Sequence, residues 1–278
     1  MKPVVFFCSL ILLVMLAGCK SRTVYQAYAI RYADGYVIPA AGSVTGADST
    51  DSVDVCDMFW LLQDNKGRNI LVDAGFIDSS GRIPNFIRPD LALAPLGLEA
   101  GDITDIIITH PHIDHVGGLS LFPQARLWMN DEDYQYFTVT AWEEGGNSFG
   151  LAEQDAEYLR RAYDEGRVTL ISGDSVEFMP GITAFTGSKH TWENIWLLVS
   201  SDTKEGKILL ASDAVWFYLN LDKELPASVV FDPEAYVSAM KRMKTMVDDQ
   251  ALIIPGHDDS LFVRFPAVAE GIVRLSGE

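Results

Sequence analysis

The order of apolar and polar positions predicts a chain that opens with a β-sheet and continues with alternating strands and helices. Residues 53–62 and 69–73 are β-rich runs, and the Asp-Asn-Lys-Gly segment between them is typical of a hairpin turn. Farther along, the sequence Ile-Ile-Ile-Thr at residues 106–109 is β-branched throughout. Such a run indicates a strand that is buried on both of its faces.

Two later segments carry apolar residues at helical spacing, and both predict structural helices. The first covers residues 151–165. The second begins at Asp232 and Pro233, an N-cap and first helical position, and places four apolar side chains on one face: Tyr236, Met240, Met243 and Val247. Residues 78–101 contain three prolines and no clear periodicity, so they predict a long irregular loop.

The composition is that of a folded, acidic protein. The chain has 278 residues, of which 48% are hydrophobic and 22% charged, and it shows no internal repeat or low-complexity linker, which favours one domain. Its 21 Lys and Arg stand against 39 Asp and Glu, and the resulting charge of −18 argues against nucleic acid as a partner. Three cysteines are too few for a disulfide scaffold or a cysteine-built zinc finger.

The first residues predict a targeting segment. Lys2 precedes an apolar stretch at residues 4–17, which is shorter than the roughly 20 residues needed to span a bilayer. The sequence Leu-Ala-Gly-Cys ending at Cys19 resembles the bacterial lipobox, whose cysteine is lipidated. We therefore expect a lipoprotein signal peptide at residues 1–18, a single domain at residues 19–278, and export to the bacterial cell envelope, with a lipid anchor on the periplasmic side or in the outer membrane.

The most informative segment follows the predicted buried strand directly. Within six positions it carries His110, His112, Asp114 and His115, and two adjacent glycines come shortly afterwards. Imidazole and carboxylate together suit Zn²⁺ and similar divalent ions, and a loop at a strand end can aim alternate side chains into one cavity. The sequence thus predicts a metal site.

This HxHxDH sequence followed by Gly-Gly resembles the signature of the metallo-β-lactamase-fold hydrolases. Four further positions resemble the remaining motifs of that family, in order along the chain: Asp73, His190, Asp213 and His257. The resemblance extends from residue 53 to about residue 265. It implies an α/β fold, a four-layer αββα sandwich with two mixed β-sheets flanked by helices.

The resemblance also implies two divalent metal ions, with Zn²⁺ as the first choice and Mn²⁺ or Fe as alternatives. One ion takes three imidazoles, those of His110, His112 and His190. The other takes a carboxylate and two imidazoles, those of Asp114, His115 and His257. Asp213 bridges the ions in this arrangement, and Asp73 supports the site from behind the ligands. A hydroxide shared by two such ions is the nucleophile that attacks a substrate carbonyl.

The segments after Asp213 resemble the N-acyl homoserine lactonase branch of the family. They are residues 212–226, 231–234, 240–244 and 255–258. The resemblance implies hydrolysis of a small ester or a lactone. One position departs from the branch, in which a tyrosine three residues after the bridging Asp assists the substrate carbonyl. This chain has Trp216 there, and Tyr218 is the candidate substitute.

Two alternatives stay open beside a lactonase. A thiolesterase of the glyoxalase II type uses the same seven ligands, and a non-catalytic metal- or ligand-binding lipoprotein would keep the fold without turnover. Antibiotic hydrolysis is disfavoured because the commonest metallo-β-lactamases have a cysteine near the position of Asp213. Cys56, the one thiol apart from the lipidated cysteine in the predicted mature chain, lies far upstream and is expected to be a small buried residue.

All five histidines fall at positions that the resemblance assigns to metal ligands, so none is left for a general base. Proton transfer must therefore fall to Asp114, Asp213 or solvent. We expect three catalytic side chains, those of Asp114, Asp213 and Tyr218. The expected partners are a small-molecule ester or lactone and a membrane reached through the lipid anchor.

Overall fold

The computed structural model describes residues 23–78 and 80–276. The predicted signal peptide at residues 1–18 and its Cys19 lie outside these residues, so both stay predictions, as does the extent of the domain at residues 19–278. No helix in the described part of the chain combines the length and apolar character needed to cross a bilayer.

The described residues form thirteen strands and six α-helices. The strands are β1 (Tyr25–Pro39), β2 (Ser52–Asp64), β3 (Asn69–Val72), β4 (Ile103–Ile108), β5 (Arg126–Asn130), β6 (Val168–Ile171), β7 (Val176–Met179), β8 (Ile182–Phe185), β9 (Trp196–Ser200), β10 (Lys207–Ser212), β11 (Ile253–Pro255), β12 (Ala267–Ala269) and β13 (Ile272–Arg274). The helices are α1 (Ile113–Val116), α2 (Asp131–Thr138), α3 (Glu153–Asp164), α4 (Tyr218–Lys223), α5 (Pro233–Lys244) and α6 (Leu261–Arg264).

The strands form two mixed sheets. The first has the order β12-β13-β1-β2-β3-β4-β5-β6, with parallel pairing from β3 to β6 and antiparallel pairing elsewhere. The second has the order β11-β10-β9-β8-β7, and its one parallel pair is β10 with β11. Because β8, β10 and β11 run in the same direction, their carboxyl ends meet at one edge of the second sheet.

Three apolar layers hold these elements together. Trp60 of the first sheet and Leu197 of the second belong to the cluster that fills the space between the sheets. Leu159 of α3 packs on the outer face of the first sheet, and Tyr236 of α5 packs on Leu209 of the second. The result is helix, sheet, sheet, helix, which confirms the predicted four-layer fold.

The strongest local sequence patterns form the predicted elements. Ile106, Ile107 and Ile108 of β4 are fully buried, as expected of a strand covered on both faces. The carboxylate of Asp232 caps α5 by accepting hydrogen bonds from the backbone N–H groups of the second and third helical residues, at 2.9 and 3.0 Å. Val247 lies beyond the end of α5 but still packs in the same apolar cluster.

The opening strands are longer than the short runs that the sequence suggested. β1 has 15 residues and β2 has 13, and they pair over most of their length. The register shifts between Arg31 and Ala33 and again between Ala33 and Tyr36. Such irregularities absorb extra residues and bend the strand, so pairing continues through a segment with no regular alternation.

The predicted irregular loop covers the first sheet. Among its described residues, only two short 3₁₀ turns occur, Ala94–Leu96 and Ala100–Asp102. Leu93 of this loop is fully buried in the cluster beneath α3. Phe86 contacts the ring of Tyr32 edge to face, with 6.0 Å between ring centroids. The loop therefore closes the apolar layer behind the strand ends that carry the candidate site.

Candidate active site

Every predicted ligand lies in a turn or helix that follows the carboxyl end of a strand. The histidine-rich segment follows β4, and it includes the short helix α1. His190 follows β8, Asp213 follows β10 directly, and His257 follows β11. The two sheets bring these strand ends together, so residues far apart in the sequence share one centre.

The carboxylate of Asp213 lies between two groups of ligand atoms. Its Oδ2 is 3.2 Å from Nε2 of His190 and 3.7 Å from Nε2 of His110. Its Oδ1 is 3.2 Å from Nε2 of His257 and 3.4 Å from Nε2 of His115. Nε2 of His257 is also 3.3 Å from Oδ2, so this carboxylate contacts imidazoles of both groups, as expected of a bridging ligand.

The ligand atoms of the two groups are close enough for metal binding. His110, His112, His190 and Asp213 place their nearest ligand atoms within 4.8 Å of one another. The ligand atoms of Asp114, His115 and His257 meet the same limit. All seven predicted ligands are therefore brought together at one site.

Four of the five imidazoles are oriented by a hydrogen bond at Nδ1, on the side away from the centre. The partners are the Thr109 hydroxyl for His110 at 3.0 Å, Asp73 for His115 at 2.7 Å, the Val229 carbonyl for His190 at 2.9 Å and the Cys56 carbonyl for His257 at 3.1 Å. A bond at Nδ1 fixes the ring and directs Nε2 inward, which is the usual arrangement of metal-binding histidines.

Several inward-facing atoms have no hydrogen-bond partner among the described residues. They are Nε2 of His110, Nε2 of His115 and Oδ1 of Asp213, and all three are buried. Buried polar atoms without partners are costly unless another group satisfies them. Imidazole nitrogens and a carboxylate oxygen are the donors that Zn²⁺ and related ions prefer, so these residues fit a pair of divalent ions.

The electrostatics of the site depend on the close approach of acids and imidazoles. Burial lowers the pKa of His112 to about 3, with a further contribution from His190. Burial would raise the pKa of Asp213, but the imidazoles of His257 and His115 hold it well below its usual value. Burial would lower the pKa of His257, but the nearby Asp213 raises it to about 10. Metal binding at His257 therefore displaces a proton, because the neutral imidazole is the ligand.

Asp73 lies behind the ligand side chains and contacts one of them. Its fully buried carboxylate accepts hydrogen bonds from the backbone N–H and the hydroxyl of Thr109, both at 2.8 Å, and contacts Nδ1 of His115 at 2.7 Å. The Ser212 hydroxyl approaches the same carboxylate at 3.3 Å. Asp73 and Ser212 both have positive φ, 64° and 47°, a conformation that non-glycine residues rarely adopt outside constrained sites.

The loop that carries His190 is held by residues that the sequence did not single out. The side-chain carbonyl of Asn194 accepts hydrogen bonds from the His190 backbone N–H at 2.9 Å and the Ser188 hydroxyl at 2.6 Å. Asp133 of α2 accepts from the Thr191 hydroxyl at 2.7 Å, and burial raises the pKa of this carboxyl to about 6. The Asn194 contacts lie within the loop between β8 and β9, whereas Asp133 joins this loop to a separate element, α2.

Gly150 is a second residue that sequence reasoning missed. A Cβ at this position would lie 2.8 Å from Cδ2 of His112, and the residue has a φ of 74°. Its carbonyl accepts the backbone N–H of Ile113 at 2.9 Å. The glycine therefore lets the loop before α3 pack directly against a ligand ring.

A pocket of about 290 Å³ opens over the centre. His112, Asp114, Asp213 and His257 form its floor, and Asp57 is a further carboxylate in its lining. Burial raises the pKa of Asp57. The walls are mostly apolar and include Tyr36, Ile38, Val55, Phe149, Trp216, Phe217 and Val229. An apolar pocket above a polar floor suits a small molecule with one reactive polar end.

The structure does not bring Tyr218 into this pocket. The residue is 5% exposed, its hydroxyl has no hydrogen-bond partner among the described residues, and Arg264 lies over its ring at 4.1 Å. Trp216 lines the pocket instead, and its indole Nε1 donates to Oδ2 of Asp213 at 2.7 Å. Cys56 is buried and points into the layer between the sheets, as expected of a small apolar residue.

A two-sheet sandwich with imidazoles and carboxylates gathered at its strand ends defines a class of metal-dependent hydrolases. Residues 56–257 match the sequence model of the Metallo-beta-lactamase superfamily, and the chain belongs to that superfamily. This match confirms the fold and the expectation of a hydrolase.

Curated relatives and solved structures agree with this placement. An N-acyl homoserine lactonase of Bacillus sp. is 26% identical over 249 residues, which cover 80% of this chain and 92% of the relative. A mutant of B. thuringiensis AiiA with N-decanoyl-L-homoserine bound at its active site superposes with a TM-score of 0.68 at 23% identity, covering 88% of this chain and 98% of AiiA. AidC, a dizinc quorum-quenching lactonase, gives a TM-score of 0.66 at 14% identity and covers 92% and 98%.

The contacts of Asp73 lead to a prediction about its replacement. In Asp73→Asn an amide N–H₂ replaces one acceptor oxygen and faces the donors of Thr109 and His115. We expect the free energy of unfolding to fall by about 1–3 kcal/mol and the affinity for Zn²⁺ to fall by about 10- to 100-fold. Urea unfolding and Zn²⁺ competition titration measure these two effects.

The control is Asp222→Asn, which makes the same chemical change at an exposed position of α4. It should leave both quantities unchanged. A variant Asp73→Asn that binds Zn²⁺ as tightly as the parent would contradict the role assigned to this carboxylate.

Proposed function

We propose that this chain hydrolyses a small lactone of the N-acyl homoserine lactone class, with two divalent ions held by its seven histidine and aspartate ligands. The observation that carries the proposal is the position of Asp213, whose carboxylate contacts imidazoles from both groups of ligand atoms. The similarity to N-acyl homoserine lactonases over most of the chain supports the substrate class.

Hydrolysis of a lactone adds water across the bond between the carbonyl carbon and the ring oxygen. The carbonyl carbon gains a hydroxyl, the ring C–O bond breaks, and the leaving oxygen gains a proton. Divalent ions in such a site acidify a water to supply the nucleophile and act as Lewis acids toward the carbonyl oxygen.

The protein's own groups bind the substrate and move the proton. The side chain of Asp114 is 31% exposed, and its Oδ2 lies 3.4 Å from Nε2 of both His115 and His257. It is therefore placed to pass a proton from water to the leaving oxygen. Tyr36 and Phe149 are more than 60% exposed at the pocket rim, where an acyl chain can cover them.

Trp216 is a positioning residue for the bridging carboxylate. The relatives' branch has a phenol at this position, whereas the indole N–H here already donates to Asp213. A hydrogen bond to an ionised carboxylate is among the stronger ones in proteins. Trp216 thus fixes the rotation of the carboxylate on which both groups of ligands depend.

The substrate proposal is tested by assaying purified protein loaded with Zn²⁺ or Mn²⁺. The substrates are an acyl-homoserine lactone, a lactone without an amide, a thiolester, a cephalosporin and a phosphodiester. We expect two metal equivalents per chain and the highest kcat/KM on the acyl-homoserine lactone. His112→Ala and Asp213→Ala should reduce turnover to the level of metal-free protein while circular dichroism shows a folded chain.

Asp222→Ala serves as the control, because the residue is exposed and lies outside the pocket. Preferred turnover of the thiolester would favour the glyoxalase II alternative. Activity on the phosphodiester alone, or full turnover by either ligand variant, would refute the proposal.

A second prediction concerns Trp216. Trp216→Phe removes the N–H donor and keeps an aromatic wall, so we expect the Zn²⁺ affinity or kcat to fall about tenfold or more. Trp216→Tyr, which restores a donor, should recover part of the loss. The matched control is Trp192→Phe, since Trp192 is 44% exposed and stacks on Tyr136 outside the pocket. If Trp216→Phe and the parent have equal kinetics and equal metal affinity, Trp216 does not position the Asp213 carboxylate.

We also propose that the chain is exported and lipidated at Cys19, on the basis of its N-terminal sequence. When the full chain is expressed in bacteria with labelled palmitate, the label should follow the protein into the membrane fraction. Cys19→Ser should lose both label and membrane association, and Cys56→Ser, at a buried cysteine, should keep both. Unchanged labelling of Cys19→Ser would reject the anchor.

A further inference from the structure

Asp57 is a carboxylate in the pocket that belongs to neither group of ligands. It lies on β2 opposite Ala33, between the two register shifts of β1. Its neighbours Cys56 and Met58 point into the layer between the sheets, so the alternation of the strand directs Asp57 the opposite way. Its side chain is 29% exposed and lines the pocket beside His257.

The Asp57 carboxylate has no hydrogen-bond donor among the described residues. Its nearest cationic partner is Nδ1 of His257, but the distance from Oδ1 is 3.7 Å, which is beyond hydrogen-bond range. That nitrogen also contacts the Cys56 carbonyl at 3.1 Å. Asp57 therefore neither orients His257 nor has its own acceptor oxygens satisfied by the protein.

The residues around Asp57 limit which kinds of ligand group can donate a hydrogen bond to its carboxylate. The pocket lining includes no lysine or arginine among the described residues, and Val55 and Trp216 contribute apolar surface to it. A carboxylate in such a pocket repels anionic groups and favours a molecule that carries an N–H or O–H donor. Asp57 approaches the outward-facing Nδ1 of His257, but it lines the same pocket as Asp114 and Asp213, so the donor must lie beside the ligand centre.

We propose that Asp57 accepts a hydrogen bond from the amide N–H of the substrate and thereby selects lactones that carry an N-acyl group next to the scissile carbonyl. This inference rests on the proposed function, of which it specifies the substrate. In an N-acyl homoserine lactone only one carbon separates the amide nitrogen from the carbonyl carbon. When the carbonyl is at the ligand centre, the N–H therefore lies within a few ångströms of it, where Asp57 flanks the site.

The experiment compares two lactones on the metal-loaded protein and its variants. N-hexanoyl-L-homoserine lactone carries the amide, and γ-butyrolactone lacks it. In Asp57→Leu, which has similar size and no acceptor, we expect kcat/KM on the first lactone to fall about 10- to 100-fold and kcat/KM on the second to stay the same. Asp57→Asn keeps one acceptor oxygen and should lose less.

Two further measurements separate substrate recognition from a structural effect. Calorimetric binding of intact N-hexanoyl-L-homoserine lactone, which is neutral, to the metal-free protein should weaken in Asp57→Leu, while the metal content of the loaded variant should stay at the parent's value. The control is Asp54→Ala, which removes a carboxylate from an exposed position of the same strand outside the pocket. It should behave like the parent in every assay.

The outcomes distinguish this inference from the function on which it rests. An equal loss on both lactones, or a loss of metal from Asp57→Leu, would overturn the role of Asp57 and leave the lactonase proposal standing. The role of Asp57 is also overturned, with the lactonase proposal intact, if Asp57→Leu keeps the parent's kcat/KM on the acylated lactone. If the parent protein opens neither lactone, the proposed function fails and this inference fails with it.

Discussion

The structure depends on one buried carboxylate that joins the ends of three strands. Asp73 follows β3, accepts two hydrogen bonds from Thr109 after β4, and is reached by the Ser212 hydroxyl at the end of β10. It therefore connects the two sheets at the edge where they meet. A fully buried carboxylate is tolerated only with such partners. The contacts that hold the two sheets together at this edge therefore also fix the shape of the site.

Four of the five histidines use one ring nitrogen for a supporting hydrogen bond and direct the other toward the ligand centre. His115 uses one ring nitrogen for Asp73 and directs the other toward Asp213, and most of the remaining imidazoles divide their nitrogens in the same way. Their supports come from different elements, such as the Val229 carbonyl for His190. The protein's own contacts thus orient the ligand rings, which lowers the cost of reaching the reactive geometry.

The pocket walls come from other parts of the fold than the ligands. Asp57 comes from β2 and Phe149 from the loop before α3, and Trp216 follows the bridging Asp213 by three residues. These side chains share a pocket only because the sheets pack face to face. Shared ligands with variable walls explain how one superfamily can carry several hydrolytic activities.

The sequence by itself determined the type of fold and predicted the seven ligands, partly from local patterns and partly from a resemblance that covers the later positions. The β-branched run of β4 and the HxHxDH segment are adjacent in the chain and can be recognised without knowing their neighbours in space. Only the tertiary structure decided that Trp216 rather than Tyr218 faces the pocket, and that Asp57 and Asn194 belong to the site at all. The physical reason is that the pocket forms where strands distant in the sequence meet, which no spacing along the chain encodes. The contacts of Asn194 are local, but its role depends on the fold bringing the His190 loop to the site.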